Sequence, residues 1–230
     1  DIERVIDVMG VEIERSAGAK RILFLCRVGK GRGGFQTQII SLLRRLDRTR
    51  HRPFVAVSQT GFLTTQLEAL AIPHRVFRWY EIKDSLFPRV KSRLKSFLNL
   101  WLRRNHLRWA RELRPDIVHG DCTDLEILRF LAQKTGAAVV CHVRSNAVFD
   151  LDLSDVNFVH CFVPISHRLK AALEKSGIPE AKIEIINDGV DLSHFIPDEE
   201  DPSLGERDRK AVLRVGIVGR LEPGKRILEC

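Results

Sequence analysis

Apolar residues in this chain fall into short continuous runs separated by stretches with helical spacing. The first run is Ile22-Leu23-Phe24-Leu25-Cys26, and residues 21–26 read as a strand. Its near-continuous hydrophobicity fits a strand covered on both faces, as in parallel sheets. From Phe35 to Leu46 the period changes. Ile39, Leu42, Leu43 and Leu46 share one side of a helix, with Arg44, Arg45 and Arg48 largely elsewhere. The alternation then repeats. Phe54 to Val57 reads as a strand, about Thr64 to Ala71 as a helix ended by Ile72-Pro73, and Arg75 to Phe77 as a strand. After a long basic segment, Ile117 to His119 is a strand, Asp124 to Lys134 a helix closed by Gly136, and Ala137 to Val143 another buried strand. Phe158 to Val163 follows as a strand. Ser166 caps a helix to Lys175, which Gly177 and Pro179 end, and Lys182 to Ile186 is a short strand. The expected fold class is α/β, a Rossmann-like parallel sheet with helices on both faces and right-handed crossovers.

The same pattern divides the chain. Residues 1–20 are an N-terminal extension, with a weak amphipathic stripe at Val5, Ile6, Met9 and Ile13. Residues 21–196 form the first domain. Residues 197–211, acidic and bounded by Pro197 and Pro202 at first and then highly charged, read as a linker. Residues 212–230 hold a fresh strand, Val212 to Val218, and the first residues of a helix. One strand cannot form a core. The expectation is a second Rossmann-like domain that has begun and is cut off, in a chain that starts at Asp1 rather than Met.

Composition narrows the reading. The 230 residues are 44% hydrophobic, enough for a true core. No apolar run reaches the roughly 18 residues that would cross a bilayer, and the mixed acidic start does not read as a secretory signal. The five cysteines are scattered and odd in number, with no C-x-x-C pair, so buried free thiols in a reducing compartment are expected and no metal site is. Net charge is +8, and it is local. Residues 86–114 hold nine basic side chains and one acid, Glu112, an excess equal to that of the whole chain. Val90, Leu94, Phe97, Leu98, Trp101, Leu102, Trp109 and Leu113 recur there at helical spacing. The segment reads as a crossover helix with a solvated basic face, or as a basic amphipathic surface on anionic lipid. Nucleic acid is not expected, because Trp101 and Trp109 fit the apolar stripe better than a base-stacking platform.

Candidate chemistry starts at Gly29-Lys30-Gly31-Arg32-Gly33-Gly34, between the first strand and its helix. In a doubly wound fold this turn lies at the carboxyl edge of the sheet, where helix N–H groups suit phosphate. The letters satisfy G-x-G-x-x-G at Gly29, Gly31 and Gly34. A dinucleotide enzyme also needs an acid after the second strand, and Val57-Ser58-Gln59-Thr60 has none. A P-loop is excluded, since no Gly-Lys-Ser/Thr closes the turn.

Four segments taken in order resemble the retaining glycosyltransferases of the GT-B fold, in the group called family four. They are Gly33-Gly34-Phe35-Gln36-Thr37-Gln38; Pro115-Asp116-Ile117-Val118-His119; Val163-Pro164-Ile165-Ser166 through Ile186-Asn187-Asp188-Gly189-Val190-Asp191 and Phe195; and Val215 through Lys225, which is similar to the family's "GRLxxxKG". The resemblance implies two Rossmann-like domains facing across a cleft. The acceptor sits mainly on the first, and a nucleotide-activated sugar on the second. It implies Arg220 and Lys225 as cationic contacts to the donor diphosphate, with Gly33 and Gly34 offering backbone N–H groups to the same phosphate. It implies neither metal nor other cofactor. Two departures stand out. Arg144 takes the register of the family's histidine after the strand that ends at Val143, with His142 two residues earlier on the same face. These two are the candidate catalytic residues. Arg226 stands where the family has glycine. The family's donor-gripping glutamates fall beyond Cys230, so this chain is expected to be inactive alone. The partners implied are a nucleotide sugar and a sugar or lipid-linked acceptor, in the cytoplasm or at the inner face of the membrane. A GT-B nucleotide-sugar epimerase and a non-catalytic basic binding module remain as alternatives.

Overall fold

A computed structural model describes residues 18–27, 33–77, 108–145 and 156–192. The chain divides into two compact units, Asp1–Gly189 and Val190–Cys230. The first holds six parallel strands: β1 (Lys20–Cys26), β2 (His51–Val57), β3 (His74–Val76), β4 (Ile117–Asp121), β5 (Ala138–Val143) and β6 (Cys161–Pro164). Their order is β3-β2-β1-β4-β5-β6, so the sheet winds outward both ways from the β1–β4 pair. Helices α1 (Gly34–Arg45) and α2 (Phe62–Ala69) cover one face. Helices α3 (Leu125–Thr135) and α4 (His167–Lys175), with helical residues 108–113, cover the other. This is the Rossmann-like α/β architecture that the strand–helix alternation predicts.

The period-two side-chain alternation produces the two layers. Ile22, Phe24 and Cys26 of β1 pack toward α1 and α2, while Leu23 and Leu25 pack toward α3 and α4. The last five residues of β1 are all buried, which accounts for its unbroken hydrophobic run. α1 buries Gln36, Ile39, Ile40 and Leu43 and places Arg44 and Arg45 in its last turn, where cations meet the negative end of the helix dipole. Gly136 adopts φ 73° and closes α3 in a left-handed cap. Ser166 caps α4 by accepting from the Leu169 N–H.

Local chemistry shifts several element ends. β2 begins three residues before Phe54 and takes in Pro53. Val55 donates its N–H to Pro73 on the β3 side, so the donor that Pro53 lacks would point past the start of β3. The Pro115-Asp116 pair is structural. The Asp116 carboxylate accepts the Arg21 N–H at 2.7 Å, and the Asp116 N–H returns a bond to the Arg21 carbonyl at 2.9 Å. The strand expected from Phe158 starts only at Cys161. Residues 157–158 turn, and the His160 ring takes the Val139 N–H. The strand expected over Lys182–Ile186 shrinks to a single bridge between Ile183 and Phe162. Glu184 and Ile186 donate to the carbonyls of Phe162 and Pro164, but Pro164 has no N–H to return.

Cys26, Cys122, Cys141 and Cys161 are buried free thiols, as their apolar settings predict. Burial pushes the Cys122 and Cys161 thiols up to about 12 and about 11. Of the basic segment only residues 108–114 are described. There Trp109 packs on Phe77 at 5.3 Å between ring centres, Ala110 is buried, and Arg108, Arg111 and Arg114 face out. Trp109 therefore belongs to the packed stripe. The extension 1–17, Gly29, Gly31, the linker and residues 212–230, with Arg220 and Lys225, lie outside the described residues.

Candidate functional site

Parallel strands bring their carboxyl ends to one edge, and the chemistry-bearing residues gather there. Gly33, in extended backbone, is the N-cap of α1, and Gly34 is its first residue. A Cβ on Gly33 would come within 2.7 Å of the Gln36 side-chain oxygen, whereas one on Gly34 would meet nothing within 4 Å. The Gly33 carbonyl accepts from the N–H and the hydroxyl of Thr37. The first turn of α1 carries no acidic side chain.

Beside α1 lies a cleft of about 640 Å³, within the size range of small-molecule sites. Its floor is the sheet face at Val140 and Val163, one wall is α1 from Phe35 to Arg45 with Leu46 and Asp47 after it, and the other is the segment 185–189. His142 and Arg144 both line it, so the two expected residues do come together. His142 stands on β5 opposite Val163 of β6 and Asp121 of β4. Arg144 follows the end of β5. Its Nη2 donates to Asp188 Oδ2 at 2.6 Å, and its guanidinium sits 5.5 Å from the centre of the Phe35 ring. Arg144 thus ties the start of α1 to the 185–189 segment, and its charge is already met by a carboxylate of the chain.

Segment 185–189 is pinned at further points. The Asn187 side chain donates to the Ile165 carbonyl at 2.8 Å, and Gln38 donates to the Gly189 carbonyl at 3.0 Å. Asn187-Asp188-Gly189 is therefore more than a turn toward the linker, since it builds one wall of the cleft.

Two residues that spacing alone did not mark now enter. His119, the last residue of the Pro115–His119 motif, lines the cleft edge-on to His142, with ring centres 5.5 Å apart and planes at 90°. Its other neighbour is Phe24, at 5.1 Å. Burial, with Arg144 close by, drives His119 down to about 4, and burial holds His142 well below the usual imidazole range. Both rings are neutral at physiological pH. The second residue is Asp124, after β4. It is 3% exposed, with Oδ1 3.2 Å from Arg27 Nε at the end of β1. Burial raises it to about 6 despite Arg27. The clue to His119 in the sequence is its parity: it lies one strand over from His142 and shares its face, a fact that needs the β4–β5 register. Among the described residues no group of three or more His, Cys, Asp or Glu is placed to hold a metal ion, and no helix is long and apolar enough to cross a membrane.

Comparison with known proteins gives the family and the fold. The family model described as Glycosyltransferase Family 4 matches residues 32–194, from the turn before α1 past the cleft wall. The chain belongs to glycosyltransferase family 4. Solved structures share its fold at low sequence identity. Anabaena Alr3699/HepE, solved in complex with UDP and glucose, matches with a TM-score of 0.56 at 20% identity, over 75% of this chain and 45% of that one. A glycosyltransferase from Rickettsia africae ESF-5 gives 0.60 at 19% identity, over 81% and 47%. The lipopolysaccharide outer core galactosyltransferase WaaB, in its apo form, gives 0.55 at 18%, over 75% and 46%. The chain thus spans just under half the length of these structures. No curated protein matches it by sequence.

Proposed function

We propose that this chain is the acceptor-side part of an enzyme that transfers a sugar, with retention, from a nucleotide diphosphate donor to a hydroxyl acceptor. The observation that carries the reading is the cleft beside α1 in a family 4 chain, with His142, Arg144 and the start of α1 at its carboxyl-edge end. Half-buried Phe35 offers an apolar ring to a sugar's C–H face, while the Arg144–Asp188 pair offers polar contacts beside it. In this reading the leaving diphosphate gathers negative charge, and fixed positive groups aimed at it lower the barrier. The N-terminus of α1, which begins at Gly34 with the positive end of the helix dipole, is one such source. Arg220 and Lys225 are proposed as the cationic contacts. Neither metal nor other cofactor enters the proposal. A UDP-sugar is the donor class to try first, because HepE is solved with UDP-glucose.

The test is a panel of nucleotide sugars offered to the protein carrying this chain, with nucleotide release followed and the product anomer read by proton NMR. Transfer with the donor's anomeric configuration kept supports the proposal. An inverted product removes retention, and neither transfer nor hydrolysis with any donor removes the reading.

A peripheral membrane contact, at the inner face of the membrane, belongs to the same proposal. The outward Arg108, Arg111 and Arg114 opposite the packed Trp109 favour it. Sedimentation with anionic vesicles, lost on changing Arg103 and Arg104 to Glu, would support it. Equal binding to neutral vesicles would count against it.

A further inference from the structure

We propose that the amino edge of the sheet, where the strands begin and away from Arg144 and the start of α1, meets a membrane surface through arginines that bind the phosphate groups of anionic phospholipids. The proposal rests on the peripheral contact put forward above and names the face of the fold that makes it.

The first observation is a run of charge that the fold brings to the surface. Residues 44–52, from the last turn of α1 to the start of β2, hold five arginines and one acid, Asp47. All five arginines are exposed. The helix dipole accounts for Arg44 and Arg45 in the last turn of α1, but Arg48, Arg50 and Arg52 lie past it, where that field has faded. Arg44 donates to the Gln66 amide oxygen at 2.8 Å and Arg48 to the Leu43 carbonyl at 3.0 Å, so both positive charges meet neutral partners. The Asp47 carboxylate is engaged by the Thr49 N–H and hydroxyl, at 2.8 and 2.6 Å.

The second observation is continuity. In the sheet register Arg52 stands beside Arg21, and the Asp116 that Arg21 binds lies two residues past Arg114. Neighbouring strands are about 4.8 Å apart, so one basic edge runs from the end of α1 across β2 and β1 to the end of the helical residues 108–113. Arg114 is exposed and has φ 46°, in the left-handed region where glycine is the ordinary helix cap. A cation thus stands at a backbone position that disfavours any side chain. At the opposite edge, Arg27 and Arg144 are paired with Asp124 and Asp188.

The third observation selects the partner. Among the described residues the exposed large apolar side chains are Val76, Val190 and Leu192. Val76 ends β3 beside Val57, at the carboxyl end of the strands, and the other two belong to the second unit. The basic edge therefore offers no apolar anchor of the kind that carries a protein interface, and no exposed phenyl or indole ring on which bases would stack. It offers guanidinium forks, which match phosphate oxygens in pairs, spread along an edge rather than lining a pocket. A charged bilayer surface presents many phosphates in one plane and needs no shaped pocket. A contact made here leaves the carboxyl edge open.

The experiment is vesicle sedimentation with the protein carrying this chain. The vesicles are phosphatidylcholine alone, or phosphatidylcholine and phosphatidylglycerol at two to one. Binding is expected to the second kind only, and to fall steeply with added salt. Each arginine near an anionic surface strengthens binding by about fivefold, so changing Arg44, Arg50 and Arg52 together to Gln should weaken it by about a hundredfold. Changing the same three to Lys keeps the charge and should leave binding within about threefold of the parent. Amide hydrogen exchange on the unaltered protein gives a reading that no folding defect of a variant can disturb. Anionic vesicles should slow exchange at residues 47–52 and not at the cleft wall, 185–189. The proposal is overturned if the Gln variant binds as the parent does, if protection falls on the cleft wall instead, or if duplex DNA binds more tightly than the vesicles at equal salt. Binding lost on changing Arg103 and Arg104 to Glu but kept in the Gln variant overturns this face and leaves the peripheral contact. A parent that ignores anionic vesicles, or binds neutral ones equally, overturns both. Turnover of nucleotide sugars is scored separately, and its absence overturns sugar transfer without altering the result for this face.

Discussion

The contact between Arg144 and Asp188 shows how far residue identity differs from residue role. In the sequence Arg144 stands in the place of the family's histidine, a cation open to an anionic acceptor or to a sugar hydroxyl. In the fold it is 13% exposed, bonded to Asp188 and stacked on Phe35, which makes it part of the wall. Asp188→Asn should therefore lower stability by up to about 1.5–3 kcal/mol, the range for a hydrogen bond to a charged group, as read by urea unfolding. The buried titratable groups give a second prediction. His119 binds its proton near 6.5 when unfolded and only at about 4 when folded. As pH falls from about 6.5 to about 4 the unfolded chain gains that proton first, so stability drops, by on the order of 3 kcal/mol from this residue. Asp124 acts in the opposite direction. Its folded value of about 6 lies above its ordinary 3.8, so it adds stability as pH falls through the same interval. In acid unfolding curves His119→Phe should lose less stability between pH 6.5 and 4 than the parent chain, and Asp124→Asn should lose more. Parallel curves for all three would contradict the assignments.

Among the elements, the long periodic segments were the legible ones. β1, α1, α3, β5 and α4 sit within a residue or two of the ends that apolar period, Gly136 and Ser166 indicate, because caps and runs are local signals. The failures lie where tertiary bonding decides. The strand expected from Phe158 yields to a turn held through His160, and the one expected to reach Ile186 fails because Pro164 cannot complete the ladder. Two glycines test what the elements need. Gly120 in β4 lets α3 approach, since a Cβ there would lie 2.9 Å from Leu128, whose side chain is fully buried. Gly120→Ala should cost about 1–3 kcal/mol by overpacking, measured by thermal or denaturant unfolding. Gly34 has open space around it. Gly34→Ala should leave stability unchanged or raise it by up to about 1 kcal/mol, because alanine is the better helix former. If the α1 terminus serves the donor phosphate at close range, the same variant weakens nucleotide-sugar binding. A Gly34→Ala chain with unaltered nucleotide-sugar affinity would take that role from Gly34.

At the scale of the whole molecule, the doubly wound sheet makes the site. Its strand order brings β4 and β5 side by side, and only then do His119 and His142 face each other and Arg144 reach Asp188, 44 residues away. The family was legible because its segments keep their order, and the family match over residues 32–194 takes in the first two and the third as far as Asp191. The site was legible only in part. His142 and Arg144 were marked through the family resemblance and a two-residue spacing, whereas His119, Asp124 and Asp188 needed neighbouring strands and the returning segment. In the proposed reaction the cleft beside α1 receives the acceptor. The most direct measurement is steady-state transfer by the protein carrying this chain, comparing the parent with His142→Phe and varying donor and acceptor separately. The acceptor KM is expected to rise about tenfold, near 1.4 kcal/mol, while the nucleotide-sugar KM stays within about twofold. A rise in the nucleotide-sugar KM with the acceptor KM unchanged would contradict it.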